Sequence, residues 1–216
     1  MALGFSLFLE QATKDPVYFV SVVATVVVSI VLHELGHAYA AIWQGDETPR
    51  LAGRLTLNPL AHMGVMSVIV LMVIGIAWGS TPVNPSRFRS RHGDALVSAA
   101  GPAVNLLLAL IGLTVLGLWM RLGGQPGSVA AGNFQQFLWI FGLINLVLML
   151  FNLLPMPPLD GSSIVASFVP PYRRLIQDPN NRGALFAVFI AIFFLFDGIL
   201  SAAARAGGAY LDLFLS

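Results

Sequence analysis

With 216 residues, 57% of them hydrophobic and 10% charged, and a mean hydropathy of +0.82, the chain lies far from the roughly 25% charged composition of soluble domains and reads as a polytopic helical membrane protein. A net charge of +1, with no basic patch interleaved with aromatics, argues against nucleic acid as a partner. The absence of cysteine excludes a disulfide framework and a Cys-type zinc site, leaving histidine and carboxylate as the ligands of any metal.

Residues 1–16 carry no basic leader segment and no small-residue cleavage site before Pro16, so no removable signal peptide is expected. Residues 1–9 are apolar and end at Glu10, as a short interfacial helix would. Residues 17–43 form the first predicted span, long enough at 1.5 Å per residue to cross a bilayer core of about 30 Å. Its second half holds His33-Glu34-Leu35-Gly36-His37. Residues four apart share a helix face, so His33 and His37 can grip one metal ion together. Glu34, about a quarter-turn away, can take a proton from water at that metal. An ionisable group at membrane depth costs roughly 2.5–3.5 kcal/mol, which marks the trio as a functional candidate rather than a packing seam.

The polar turn at residues 44–47 closes this span. Residues 48–62 are broken by Pro49, Gly53 and Pro59, and residues 50–57 are predicted as short extended segments, a hairpin turning at Ala52-Gly53. Residues 64–79 are apolar but short for a full crossing. A polar loop over residues 80–94 carries Pro82, Pro85, Arg87, Arg89 and Arg91. Residues 95–120 span, with Gly101-Pro102 and Asn105 inside. A Gly-rich loop at 121–133 leads to a span over 134–154, which Pro155, Pro157 and Pro158 break just before Asp160-Gly161. After a polar loop at 170–183 comes a last span over 184–204, carrying Asp197.

Arginine placement sets the expected topology. If residues 64–79 dip in and return, Arg50, Arg54, Arg87, Arg89, Arg91, Arg173, Arg174 and Arg182 share one face, against Lys14, Arg121 and Arg205 on the other. Eight against three follows the positive-inside rule better than the seven against four of a full crossing. The expected fold is therefore all-α and polytopic, with four to five transmembrane helices plus a re-entrant or β-hairpin-like segment after the first helix. It forms a single domain over residues 1–216 with its core at 17–170 and its N-terminus outside. The paired histidines and Asp160 then fall toward the cytoplasmic side.

A catalytic zinc site needs three protein ligands and an open fourth position. Among His62, His92, Asp160 and Asp197, Asp160 has the best local chemistry, because three prolines free backbone groups and open space beside it. A helix N-cap at the start of residues 161–169 is the competing reading. Asp197 sits in a regular helix, in the outer half of its span, on the wrong side for the His pair.

Together, His33-Glu34-Leu35-Gly36-His37, Ala100-Gly101-Pro102 with Asn105, and Asn152-Leu153-Leu154-Pro155-Met156-Pro157-Pro158-Leu159-Asp160-Gly161 resemble the site-2 protease family of intramembrane zinc metalloproteases. The nearest look is to short prokaryotic members without a PDZ domain, whose Arg-Leu-Thr-Leu-Asn-Pro-x-x-His and Pro-Val-Asn-Pro stretches match residues 54–62 and 82–85. The resemblance covers most of residues 17–161. It implies that His33, His37 and Asp160 bind one zinc ion, that Glu34 is the catalytic base, and that Asn152 steadies substrate or oxyanion beside the site. Arg54, His62 and Asn105 join Asn152 as substrate-binding candidates, with a structural hydrogen bond from loop to helix left open for His62. It also implies an edge-like strand after the first motif, pairing with an unwound substrate. The chain departs from the subgroup at Met63, Gly64 and Val65, where Asp and Pro are common, and at Ser80 or Thr81, where lysine is.

The expected activity is peptide-bond hydrolysis within transmembrane segments of substrate proteins in the lipid bilayer, in a prokaryotic inner membrane, and a homo-oligomer is compatible with it. The alternative is a non-catalytic zinc-binding membrane protein, an inactive protease homologue or metal carrier, in which Glu34 has no role. A rhomboid-like serine protease is disfavoured, because no Gly-x-Ser-x-Gly or comparable nucleophile lies near a histidine.

Overall fold

The computed structural model describes residues 8–123, 127–192 and 196–215, and every regular element among them is helical. The interfacial helix expected over residues 1–9 lies outside the described residues, apart from Phe8 and Leu9 in a 3-10 turn. After α1 (Gln11–Lys14), the Asp15 carboxylate accepts the Tyr18 N–H and caps α2 (Pro16–Trp43). Pro16 suits the first helical position, where no N–H is needed. At 28 residues, α2 is about 42 Å long, ample for a crossing.

The hairpin expected over residues 50–57 is not formed. Pro49 instead opens a helical turn, α3 (Thr48–Leu51), with Glu47 paired to Arg50 at 2.8 Å. The backbone closes on itself through Gly53 N–H to Arg50 C=O and Arg54 N–H to Pro49 C=O, so no strand partner is required. Asn58 then accepts the Leu60 N–H and caps α4 (Pro59–Ile74), which breaks at Gly64 (φ +70°), so the helix beyond the break measures only about 15 Å, short of a 30 Å core. Gly75, at φ +86°, takes the left-handed conformation that ends α4. The chain then runs back along the helix it has left. The Ser67 hydroxyl donates to the Trp78 carbonyl and accepts the Trp78 N–H, and the Ser80 N–H reaches the His62 carbonyl near the start of α4. Helix out and chain back form a turn-back element over residues 59–80.

α5 (Gly93–Arg121) and α6 (Val129–Asn152) follow, then α7 (Asp160–Phe168), α8 (Pro170–Gln177), α9 (Arg182–Ile192) and α10 (Phe196–Leu215). Among the described residues, α2, α5 and α6 are long and apolar enough to cross a membrane. The stretch Pro179–Ile192 with Phe196–Leu215, bent by 52°, adds a fourth if counted as one broken span. The span expected over 184–204 falls on α9 and α10, with residues 193–195 outside the described ones and Asp197 exposed in the first turn of α10. The chain is an integral membrane protein.

α5 is the hub, packed against α2, α6, α7 and α10. One apolar cluster joins Leu113 and Leu116 to Leu138, Leu146 and the α10 residues Ala203 and Leu211. Another joins Val22, Val26 and Ile30 of α2 to Met63 and Leu71 of α4 and Ile140 of α6, fastening the turn-back element to the first span. A polar clasp holds the loops above. Buried Asp46 accepts the Thr48 N–H and hydroxyl and the Asn84 N–H, while Gln44 accepts the Arg89 and Ser90 N–H groups. Burial alone would raise the Asp46 pKa, but the donors on Thr48 and Asn84 and the charge of Arg87 hold it below the ordinary carboxylate value.

Candidate metal centre

One turn apart on α2, His33 and His37 are both buried, with their Nε2 atoms 3.0 Å apart. Asp160, the first residue of α7, brings Oδ2 to 3.2 Å from His33 Nε2 and Oδ1 to 3.3 Å from His37 Nε2. Among the described residues these three side chains are the group able to share one metal ion. Glu34 is buried beside them but is not one of the donors, so three ligands leave a fourth position open.

The local chain explains the convergence. α6 ends at Asn152, and a proline-rich turn over residues 153–159 delivers Asp160. Tyr172 braces that turn by donating to the Pro155 carbonyl at 2.7 Å. Gly161 lies so close to the Leu153 and Leu154 carbonyls that a Cβ there would collide with them. Opposite, Gly101 of α5 faces the imidazoles, and a Cβ on it would lie 2.5 Å from both Nε2 atoms.

The donor set fits a divalent cation. The Val97 carbonyl, 2.7 Å from His37 Nδ1, can only accept, so Nδ1 carries the proton and Nε2 a lone pair. Asn105 Oδ1 takes the same role toward His33 Nδ1 at 2.6 Å. Two lone pairs and a carboxylate therefore converge, and Asp160 Oδ2, though buried, has no hydrogen-bond donor. Such a face is repulsive until a cation neutralises it. Tetrahedral ligands about 2.0–2.1 Å from a zinc ion would be ~3.3 Å apart, close to the 3.0, 3.2 and 3.3 Å separations here.

Glu34 packs on the chain that returns along α4 after Gly75. Its carbonyl accepts the Thr81 hydroxyl at 3.1 Å, and a Cβ on Gly79 would lie 2.6 Å from Oε1. The extended backbone beside this carboxylate is thus the segment after Gly75, not residues 50–57.

The other candidates are held in hydrogen bonds of their own. Asn105 is fully buried behind His33 and bonded on both ends, out of a substrate's reach. The Asn152 amide donates to Leu148 C=O at 3.0 Å, one turn back in α6. Arg54 reaches the Ser80 carbonyl at 3.3 Å, bracing the returning segment. His62 is buried with Nε2 2.7 Å from Thr56 C=O, the loop-to-helix hydrogen bond that its sequence left open. His92 stacks on Phe168 and accepts from Arg91 Nε, away from the cluster. The sequence reading had no place for Gly79, Val97 or Asn145; for Asn145 the available signal was an amide in an otherwise apolar span.

A family model described as Peptidase family M50 matches residues 21–196. The chain is 42% identical over 174 residues to the "Putative zinc metalloprotease YwhC" of Bacillus subtilis, covering 79% of this chain and 78% of the relative. It is 34% identical over 205 residues to the "Putative zinc metalloprotease Rip2" of Mycobacterium tuberculosis strain H37Rv, covering 90% and 76%. No solved structure matches the chain.

Proposed function

The chain belongs to peptidase family M50, and from that premise we propose that it is an intramembrane zinc metalloprotease cleaving transmembrane segments of other proteins. The observation that carries the reading is the buried face of His33 Nε2, His37 Nε2 and Asp160, whose Oδ2 has no donor. These three side chains hold the zinc ion. When bound there, zinc acidifies water and polarises a carbonyl. Glu34 takes the proton of the attacking water at its carboxylate and returns it to the leaving amine nitrogen. Its burial outside the ligand set leaves the carboxylate free for that transfer.

A helical substrate must unwind, because its carbonyls are bonded and covered. The extended chain from Gly75 to Ser80, pinned through Ser67 and His62 beside Glu34, gives the opened segment a place to lie. The arginine asymmetry supports a cytoplasmic site in a cell membrane.

The test uses purified protein in detergent with a transmembrane peptide. Glu34→Gln is expected to keep its zinc while cleavage falls by about 10²–10⁴-fold. A wild type that holds zinc and cleaves no model segment would favour the non-catalytic alternative.

A further inference from the structure

We propose that Asn145 is a positioning residue of the metal centre, setting the orientation of the Asn105 amide and through it the tautomer of His33. The inference rests on the reading of His33 as a metal ligand. An amide side chain has two ends of nearly equal size, so shape does not decide which one faces an imidazole; hydrogen bonds do. The chain of bonds begins at a group with no choice. The Phe141 backbone carbonyl can only accept, so the atom of Asn145 lying 2.9 Å from it is Nδ2. Asn145 Oδ1 then faces Asn105 at 3.0 Å and must receive its Nδ2–H. That turns Asn105 Oδ1 toward His33 Nδ1 at 2.6 Å, which places the ring proton on Nδ1 and the lone pair on Nε2, aimed into the site.

Both amides are 0% exposed, so no solvent can replace a missing partner. Without Asn145, the Asn105 amide can turn over and offer Nδ2 to His33. The ring proton then moves to Nε2 and one ligand is lost. His37 needs no such relay, since Val97 C=O fixes it directly. The two imidazoles are thus locked by different devices: one from α5 alone, the other by a line crossing α5 to α6.

The experiment measures zinc affinity by chelator competition for wild type, Asn145→Leu, Asn105→Asp and the double variant. Asn145→Leu is expected to weaken zinc binding about 10–100-fold. A carboxylate at position 105 accepts through either oxygen and has no wrong orientation, so Asn145→Leu added to Asn105→Asp should cause no further loss. An unchanged affinity in Asn145→Leu, or an equal loss in both backgrounds, would overturn the relay, because a packing role is indifferent to what occupies position 105. A readout free of any variant is the ring ¹⁵N shifts of His33 in metal-free wild type at alkaline pH. They are expected to show Nδ1 protonated, and an Nε2-protonated ring would overturn the proposal. Wild type that binds no zinc would contradict the metal reading alone, and the ring shifts would still decide the relay.

Discussion

A single methyl group at position 101 would stand where the two ligating nitrogens meet. Gly101→Ala puts Cβ 2.5 Å from both Nε2 atoms, so zinc affinity should fall at least about tenfold, on the scale of losses caused by misplaced ligand geometry. Helix content by circular dichroism should not change, since alanine is the better helix former. Asp46 offers a test by acid. Its carboxyl lies below its ordinary value in the fold, so it contributes stability that is complete above that value and is lost as pH falls through the folded one. Asp46→Asn should flatten the acid limb of the unfolding profile and, by leaving a buried donor short of an acceptor, lower stability by about 1–3 kcal/mol. At this scale His33, Glu34 and His37 were legible because helical spacing and the cost of charge in an apolar run both point to them. Asp160 was legible because prolines flank it. Asn105 was legible only as a polar residue near a motif; that it backs His33 depends on Asn145, 40 residues away, which no local pattern reveals.

Among the elements, the chain returning after Gly75 packs directly on the Glu34 carboxylate. Gly79→Ala would push on Glu34 Oε1 and Cγ, and is expected to lower the cleavage rate at least tenfold (about 1.4 kcal/mol in the barrier) while zinc stoichiometry stays at the wild-type value. A parallel loss of zinc would mean that Glu34 is not separate from the ligand set. α7 gives the complementary case. Gly161→Ala collides with backbone carbonyls of Leu153 and Leu154, which cannot swing aside, so Asp160 should be displaced and zinc lost first. The short apolar run after the first span was readable as something other than a full span because it is too short to cross. Its extended return was not readable, since Ile76, Ala77 and Trp78 look like the tail of the same helix. Residues 50–57 were misread as a hairpin because Pro49, Gly53 and Pro59 look like helix breakers, whereas Pro49 starts a helical turn as readily as it breaks one.

For the whole molecule, the fold brings together His33 and Asp160, 127 residues apart in sequence, by packing α2 and α7 against the same helix, α5. Arginine placement predicts which side this site faces. The chain has no cysteine, so Ser86→Cys and Gly123→Cys introduced singly should label from opposite faces of the membrane, Ser86→Cys from the cytoplasm; labelling from one face would rule out the topology. The central claim concerns the ion itself. Zinc-edge X-ray absorption on the purified protein should return a first shell with two imidazole nitrogens at about 2.0–2.1 Å, oxygen neighbours at about 2.0–2.2 Å and no sulfur. Asp160→Ala should thin the oxygen shell and His37→Ala should remove one nitrogen. A shell of oxygens alone, or one indifferent to both substitutions, would contradict the account.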